Sequence, residues 1–221
     1  LPSGVWLRLL YFSPEGLDDE FIKTMRDSSH LVKYLDIPLQ HVDSTILQKM
    51  RRPSSIEKIR EKLEKLRECV PGIFLRTTFL VGFPGEDEEA FQRLVDFVED
   101  FRFERMGAFV YSEPPDTPSA FLYPKVEEKV KQERYKALME VQEKVMGKFH
   151  SSLVGRELEV IVDEAQRGNG VTNFWGRTYG DAPEVDGNIS FSSRRNKLKR
   201  GEIVKVKVTE SSSYELKGEK I

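Results

Sequence analysis

The chain has 221 residues with a net charge of -2, and 33% of them are charged. This length suits one large domain or two ordinary ones. No apolar run approaches the roughly 20 residues needed to span a bilayer, and the first residues lack the pattern of a secretory signal. We therefore expect a soluble, cytoplasmic protein. The near-neutral net charge also argues against a broad basic surface for nucleic acid, although it is compatible with local basic patches.

Apolar runs and amphipathic helices alternate up to about residue 123. The runs predict strands over residues 5–12, 34–40, 74–81 and 106–111. Helices are predicted after an N-cap at Asp18, around residues 46–50, over residues 56–70, and after the carboxylates of residues 87–89. Repeated strand-then-helix units imply parallel strands with right-handed crossovers, and hence an α/β layer or barrel.

The pattern changes after Pro124. Residues 125 to about 152 predict a single charged helix that bridges two domains. Short alternating runs follow at residues 158–162, 170–175, 188–191 and 203–208, with glycines between them, and predict a small closed antiparallel β-barrel of the OB-like kind. The predicted domain bounds are therefore 1–123, 124–152 and 153–221.

The carboxyl ends of parallel strands are where the reactive face of an α/β barrel lies. After the third predicted strand comes the turn Gly82, Phe83, Pro84, Gly85 and Glu86. Its glycines would let the backbone approach a ligand closely. A tight strand-to-helix turn with a capping glutamate explains the same residues equally well.

Three further residues near strand ends are candidates for ligand binding. Gln40, followed by His41, ends the second predicted strand and could bind the polar edge of a ligand, or simply satisfy local backbone groups. Arg76 and Thr78 share one side of their strand by the two-residue period. An arginine inside a barrel needs a carboxylate or a bound anion, because an unpaired buried charge is costly; at the start of the strand a structural salt bridge would be the simpler explanation.

The sequence contains one cysteine, Cys69, which excludes a disulfide framework and any multi-cysteine metal site within the chain. We find no hydrolytic triad and no phosphate-binding loop. From the residues alone, the interpretation is a parallel α/β domain with a ligand face, followed by a small β-barrel.

Several motifs together resemble the radical-SAM methylthiotransferases. They are Tyr-Leu-Asp-Ile-Pro-Leu-Gln-His at 34–41, Met-Arg-Arg-Pro at 50–53, Arg-Thr-Thr-Phe-Leu-Val-Gly-Phe-Pro-Gly-Glu at 76–86 and Tyr-Ser at 111–112. The last part of the chain is similar to the TRAM domain of that family, notably at residues 176–178 and 208–210. The resemblance covers nearly the whole chain.

The resemblance implies a fold, two cofactors and a set of site residues. The family fold is an incomplete TIM-like barrel that binds S-adenosylmethionine against a [4Fe-4S] cluster, and reductive cleavage yields a 5′-deoxyadenosyl radical that abstracts hydrogen from an unactivated carbon. A second cluster, in an N-terminal domain, is implicated in sulfur delivery. On this basis we expect Gln40, Arg76, Thr78 and the five turn residues from Gly82 to Glu86 to border the S-adenosylmethionine pocket.

The sequence departs from the family pattern in one respect. The cluster motif Cys-x3-Cys-x2-Cys is missing, so we expect the [4Fe-4S] clusters to be bound by residues outside this chain. The chain also begins abruptly at Leu1 in a strand-like run. We therefore expect a C-terminal fragment of the enzyme, with further strands upstream, that is inactive alone.

Two branches of the family differ at the second strand. The tRNA adenosine branch usually reads Leu-Pro-Val-Gln-Ser-Gly-Ser. The RimO-type branch, which methylthiolates an aspartate of ribosomal small-subunit protein twelve, reads Asp-Ile-Pro-Leu-Gln-His, and residues 36–41 match it. The resemblance thus favours a ribosomal protein or the small subunit itself as partner, with tRNA as the alternative and no membrane.

Two charged clusters bear on the partner. Arg194, Arg195, Lys197, Lys199 and Arg200 support a third interpretation, a non-catalytic module that binds ribosome or RNA, unless they are a solvated loop. From Leu153 onward, however, twelve Lys or Arg face eleven Asp or Glu, a net charge of +1 that is small for a phosphate-binding domain. Asp181, Glu184 and Asp186 instead form an acidic loop that we expect to dock the basic ribosomal protein.

Overall fold

The computed structural model describes residues 4–53, 55–113, 115–167, 171–193 and 198–221. Contacts within the chain divide it into two compact units. The sheet unit comprises Leu9–Ser28 and Leu35–Val145, and the barrel unit comprises the residues up to Arg8 together with Ser29–Tyr34 and Met146–Ile221. The predicted bounds at residues 123/124 and 152/153 stay a prediction.

The first part of the chain forms a four-stranded sheet, as the alternation of strands and helices predicts. Its strands are β1 (Leu7–Leu9), β2 (Leu31–Asp36), β3 (Phe74–Val81) and β4 (Arg105–Val110), in the spatial order β1-β2-β3-β4. β3 and β4 run parallel, and Gln40, just beyond β2, pairs in parallel with Phe79. The prediction of a parallel α/β fold is confirmed.

Five α-helices accompany these strands in the described part of the chain. They are α1 (Asp19–Asp27), α2 (Ser44–Lys49), α3 (Ile56–Cys69), α4 (Glu88–Phe101) and α5 (Glu128–Ser151). Asp18, Asp43 and Asp87 are the N-caps of α1, α2 and α4, and each carboxylate accepts a backbone N–H of the first turn. Such caps satisfy donors that a helix start leaves unpaired. No helix of the described residues is long and apolar enough to span a membrane.

Strand β2 ends four residues earlier than predicted. Pro38 has no N–H, so the ladder to β3 cannot continue as a regular strand. The backbone still follows β3, because Ile37 N donates to Arg76 O (2.8 Å) and Gln40 N donates to Thr78 O (2.9 Å). This irregular extension places Gln40 in the left-handed region, with φ 69°.

The second part of the chain forms a closed five-stranded barrel. Its strands are β5 (Glu157–Arg167), β6 (Thr172–Thr178), β7 (Asn188–Ser193), β8 (Ile203–Ser211) and β9 (Glu215–Lys220), in the order β5-β6-β7-β9-β8. The small closed barrel is confirmed. Four of its pairings are antiparallel as predicted, whereas β7 and β9 run parallel.

Alternate residues of these strands fill the interior of the barrel. Phe174 and Phe191 stack there with ring centroids 5.3 Å apart, among Val160, Val206 and Leu216. Gly176 and Gly218 also face inward, where an added Cβ would collide with backbone of the neighbouring strand. The basic cluster that supports the module hypothesis lies largely outside the described residues, because Arg194, Arg195 and Lys197 fall in a gap.

Candidate ligand site at the carboxyl ends of the strands

The turn after β3 is held by a buried carboxylate. Glu86 is 4% exposed, and its Oε2 accepts the N–H of Gly82 at 2.9 Å. Its Oε1 accepts from Nη1 of Arg134, on α5, at 2.9 Å, and the same nitrogen donates to the Glu86 carbonyl. The Glu86 carboxylate therefore fixes both ends of the turn and joins the turn to α5.

His41 lies beside this buried network. The ring is fully buried, and its Nδ1 accepts the N–H of Asp43 at 2.9 Å. Its Nε2 lies 3.4 Å from Oε2 of Glu86 and has no hydrogen-bond partner among the described residues. These two buried polar side chains thus bring the end of β2 close to the turn after β3.

The two glycines of the turn are in close contact with lysine side chains. Gly82 (φ 78°) and Gly85 (φ 90°) both need the left-handed conformation that glycine adopts at little cost. An added Cβ would collide with the stem of Lys131 at Gly82 and with the ammonium of Lys49 at Gly85. In this structure the groups that approach these glycines closely are side chains of the protein itself.

Arg76 and Thr78 meet a carboxylate on the neighbouring strand. Nη1 of Arg76 lies 3.0 Å from Oδ1 of Asp36 and donates to the Thr78 hydroxyl at 3.2 Å. The second oxygen of Asp36 accepts the N–H of Tyr11 at 3.1 Å. Of the two partners that the sequence requires for a buried arginine, a carboxylate or a bound anion, the fold supplies the carboxylate.

A cavity of about 390 Å³ opens beside this network, within the sheet unit. Its wall includes the predicted residues Gln40 and Phe83 and, in addition, three cations at the end of α2. The lining residues are Gln40, Lys49, Met50, Arg51, Arg52, Leu80, Phe83, Pro118 and Ser119. The arrangement can accept a ligand with an anionic group, an apolar part and a polar edge.

The structure brings together only part of the predicted set. Gln40 and Phe83 line the cavity, Arg76 and Thr78 belong to the Asp36 ion pair, and Gly82, Gly85 and Glu86 form the turn described above. Pro84 is buried in the same turn. The sequence predicted no ligand role for Lys49, Arg51, Arg52 or Ser119. For Arg51 and Arg52, the signal that could have identified them is the Met-Arg-Arg-Pro motif at residues 50–53.

The acidic loop of the barrel unit does not present its three carboxylates together. Asp181 is 2% exposed, and its Oδ2 accepts from both the N–H (3.0 Å) and the hydroxyl (2.6 Å) of Thr178. Oδ2 of Asp186 accepts from the Tyr34 hydroxyl (2.8 Å) and from Ala182 N (2.9 Å). Glu184 is exposed. The picture of a three-carboxylate docking patch is therefore corrected: short aspartates satisfy the loop's own donors, and Glu184 faces solvent.

Arg8 supports the same loop from a distant part of the chain. Its Nη2 donates to Tyr179 O at 2.7 Å, and its guanidinium lies 4.7 Å from the centre of the Tyr34 ring. Burial is the main cause that lowers the pKa of Arg8. The loop is thus held by an arginine and a tyrosine from the start of the chain.

A second cavity, of about 860 Å³, lies on the barrel unit beside this loop. Its wall includes Trp175, the Arg177–Asp163 ion pair (2.7 Å) and Glu184. Among the described residues of the lining, acidic side chains outnumber basic ones; these residues are Asp163, Glu164, Ala165, Gln166, Trp175, Gly176, Arg177, Pro183, Glu184, Asp186, Gly187, Asn188 and Arg200.

The described residues do not fit an iron–sulfur cluster. Cys69 ends α3 as a free, half-buried thiol, and no group of three or more His, Cys, Asp or Glu side chains in the described ranges could hold a metal ion. Clusters of this type are held by several cysteine thiolates. No chemistry is therefore assigned to a cluster on these residues.

Comparison with known proteins agrees with this geometry. Residues 4–98 match the model of the radical SAM superfamily, and residues 154–221 match that of the TRAM domain. The fold of coproporphyrinogen III oxidase (HemN) from Escherichia coli, described as a radical SAM enzyme, superposes with a TM-score of 0.50 at 18% identity, over 62% of this chain and 32% of that one. The chain thus combines a segment of the radical SAM superfamily with a TRAM domain.

Several curated proteins that are similar to the chain share one name. The chain is 44% identical over 219 residues to "Ribosomal protein uS12 methylthiotransferase RimO" of Carboxydothermus hydrogenoformans, covering 99% of this chain and 49% of the relative. It is 45% identical over 214 residues to the protein of the same name in Geotalea uraniireducens, covering 97% and 47%. The chain thus spans about half the length of the curated relatives it matches. The family implies S-adenosylmethionine and [4Fe-4S] as cofactors.

Proposed function

We propose that this chain is part of a cytoplasmic methylthiotransferase that modifies an aspartate of ribosomal protein uS12. The observation that carries the proposal is the likeness, along almost all of its length, to proteins named for that activity. The Asp-Ile-Pro-Leu-Gln-His sequence at residues 36–41 supports this branch over the tRNA branch. In the enzyme, the domains would be the barrel portion 1–123, the bridging helix 124–152 and the TRAM domain 153–221.

The sheet unit would hold S-adenosylmethionine at the carboxyl ends of its strands. We assign the pocket wall to Gln40, Arg76, Thr78 and the turn residues Gly82, Phe83, Pro84, Gly85 and Glu86. The cavity beside Gln40 and Phe83 supports this assignment, because it combines an amide, an apolar face and cations. When bound, S-adenosylmethionine supplies the hydrogen-abstracting chemistry of the family.

The chain's own residues would position this ligand. Glu86, held by Arg134, fixes the turn that carries Phe83, and Asp36 fixes Arg76 beside Thr78. Both carboxylates are buried and fully engaged, so the pocket wall is preorganised before a ligand arrives. The [4Fe-4S] clusters would be bound by residues outside this chain.

The barrel unit would dock the ribosomal protein or the small subunit that carries it. Of the three acidic residues expected to do so, Asp181 and Asp186 shape the loop and Glu184 meets the partner. The excess of carboxylates among the described residues that line the neighbouring cavity supports a basic protein as partner, since complementary charge steers association.

The test supplies the full-length enzyme with S-adenosylmethionine and presents uS12 and tRNA side by side. We expect methylthiolated aspartate in uS12 and unmodified tRNA, measured by mass spectrometry. Modified tRNA with unmodified uS12 would instead assign the enzyme to the tRNA adenosine branch. Binding to ribosomes without cleavage of S-adenosylmethionine would instead indicate a non-catalytic module.

A charge variant tests the docking surface separately. Glu184→Gln should slow association of the barrel unit with uS12, and the difference should shrink as salt rises, because the Debye length falls from about 10 Å at 0.1 M to about 3 Å at 1 M. Glu157→Gln makes the same change of net charge at an exposed position of the barrel unit that does not line the cavity. Equal association rates for the two variants would contradict the docking role of Glu184.

A further inference from the structure

A tyrosine just after β1 has a backbone conformation that bulky residues rarely adopt. Tyr11 lies two residues beyond the last residue of β1, and its φ is 57°. In the described part of the chain it is the only aromatic residue with a positive φ. A Cβ in the left-handed region crowds the following carbonyl oxygen, so glycine would adopt this conformation at lower cost. The path of the backbone alone therefore does not explain a tyrosine at this position.

A buried carboxylate holds Tyr11 in this conformation. Asp36, the last residue of β2, is 2% exposed, and its Oδ2 accepts the N–H of Tyr11 at 3.1 Å. The carbonyl of Asp36 accepts the N–H of the next residue, Phe12, at 2.8 Å. Oδ1 of the same carboxylate lies 3.0 Å from Nη1 of Arg76, which we assign to the wall of the cofactor pocket. Tyr11 is thus fixed at the carboxyl edge of the sheet by a side chain that it shares with that wall.

The side chain that this backbone presents contributes little packing. Tyr11 is 82% exposed, whereas the ring of Phe12 stacks on Phe21 of α1 with centroids 4.2 Å apart. Phe12 therefore anchors the segment, and the ring of Tyr11 remains accessible to a partner. Strained backbone of this kind clusters at functional sites, and tyrosine is enriched among the residues that dominate protein–protein interfaces.

The charges that follow Tyr11 indicate the kind of partner. Between Arg8 and Lys23 the sequence has four acidic residues and no lysine or arginine. All four are exposed, and they are Glu15, Asp18, Asp19 and Glu20. Lys65 forms an ion pair with Asp19 at 2.6 Å, which leaves the segment with a negative net charge. Such a segment repels the phosphates of RNA and attracts a basic protein.

We propose that Tyr11 is a specificity-determining residue that contacts the protein substrate. The proposal rests on the proposed function, in which the hydrogen-abstracting cofactor and a basic ribosomal protein meet at the carboxyl edge of the sheet. Tyr11 lies at this edge but does not line the cavity assigned to the cofactor. Its position therefore suits the second ligand. A basic segment of that protein packs on the ring, and the acidic residues after Tyr11 steer its approach.

The test measures the protein substrate and the cofactor separately in the full-length enzyme. Tyr11→Gly removes the ring and the backbone strain together. We expect the KM for uS12 to rise about tenfold, with a smaller change in kcat, as the truncation of an aromatic anchor at an interface predicts. The affinity for S-adenosylmethionine, measured by calorimetric titration, should stay the same, because Tyr11 does not line the cavity.

Arg102→Gly is the matched control. Arg102 ends α4 in the left-handed region, with a φ of 60°, but it lies just before β4 and hence at the amino end of that strand. Neither glycine variant should lower the melting temperature of the 221-residue protein, because relief of the left-handed strain offsets the larger conformational entropy of glycine in the unfolded chain. Only Tyr11→Gly should raise the KM for uS12. Equal KM values for the two variants would refute the proposal.

Two other occupants of the Tyr11 surface would overturn the proposal, and each gives a distinct result. If another part of the full-length enzyme covers the ring, Tyr11→Gly lowers the melting temperature of the full-length enzyme and not that of the 221-residue protein. If the ring stacks on a base, Tyr11→Gly weakens binding of tRNA more than binding of uS12. In both cases methylthiolation of uS12 by the unsubstituted enzyme would leave the proposed function intact. Modified tRNA with unmodified uS12 would refute the proposed function and the role of Tyr11 together.

Discussion

The sheet unit and the barrel unit use their buried carboxylates differently. In the sheet unit, the buried carboxylates of Glu86 and Asp36 each pair with an arginine of another element. In the barrel unit, the buried carboxylate of Asp181 accepts the N–H and the hydroxyl of Thr178 in its own loop, and the core of the barrel is apolar. Buried ion pairs rarely add stability over apolar packing. The buried carboxylates of the sheet unit therefore serve to connect separate elements, whereas that of the barrel unit shapes a single loop.

The largest effect should come from the apolar interior of the barrel. Phe174→Ala removes a fully buried ring that stacks on Phe191, and we expect a loss of about 4 kcal/mol in the free energy of unfolding. Denaturant titration followed by circular dichroism measures it. Phe109→Ala, at a 63% exposed ring, should change stability by less than about 0.5 kcal/mol. Similar losses for both would mean that Phe174 is not a core residue.

Next in size is the buried charge of the sheet unit. Glu86→Gln leaves the buried guanidinium of Arg134 without its carboxylate, and we expect a loss of about 3 kcal/mol. Glu88→Gln serves as the control, because Glu88 touches the same arginine but its side chain is 79% exposed. If the two substitutions cost the same, the Glu86 network does not hold the turn.

Substitutions in the acidic loop should change the free energy of unfolding less. Asp181→Ala leaves the buried N–H and hydroxyl of Thr178 without an acceptor, which should cost about 2 kcal/mol. Glu184→Gln in the same loop should be neutral to stability within about 0.5 kcal/mol, since Glu184 is exposed. If Asp181→Ala leaves the free energy of unfolding unchanged, Asp181 is again a candidate for docking the partner.

The smallest effect is a pH dependence at the start of α2. Burial tends to raise the pKa of Asp43, but the N–H of Ile46 and the Arg93 guanidinium outweigh it and lower the pKa below its usual value. A lowered pKa contributes stability above the unfolded value of about 3.9, and the contribution disappears as pH falls through the folded pKa. Asp43→Asn should therefore cost about 1 kcal/mol at pH 7 and progressively less below pH about 4. A difference that stays constant from pH 7 to pH 3 would contradict this assignment.

Where local pattern and tertiary packing agree, the sequence predicted the fold closely. β3 runs over the predicted residues 74–81, because four of its five apolar residues are also buried. β9 was missed because its two inward residues are Leu216 and Gly218. Gly218 is required there by the approach of the Val206 and Lys207 neighbours, and a glycine gives no hydrophobic signal.

The site was predictable only in part. Gln40 and Phe83 were predicted near a ligand and do line the cavity, because strand ends and turns can be located from sequence. Arg51 was not, because a left-handed conformation is signalled in sequence by glycine, and here an arginine adopts it. The hydrogen bonds of Asp181 and Asp186 could not be predicted, because the number of charges in a loop does not reveal which carboxylates accept from the loop's own donors.

The barrel unit is assembled from three separate stretches of the chain, and this bears on how it can be inherited. Arg8 and Tyr34 belong to that unit in space, although more than a hundred residues separate them from the loop that they hold. A gene segment that starts at Val154 would encode all five strands and still omit both side chains. A lineage that acquired the domain by recombination would have to replace the Tyr34 hydroxyl on Asp186 and the Arg8 guanidinium on Tyr179 with groups of its own.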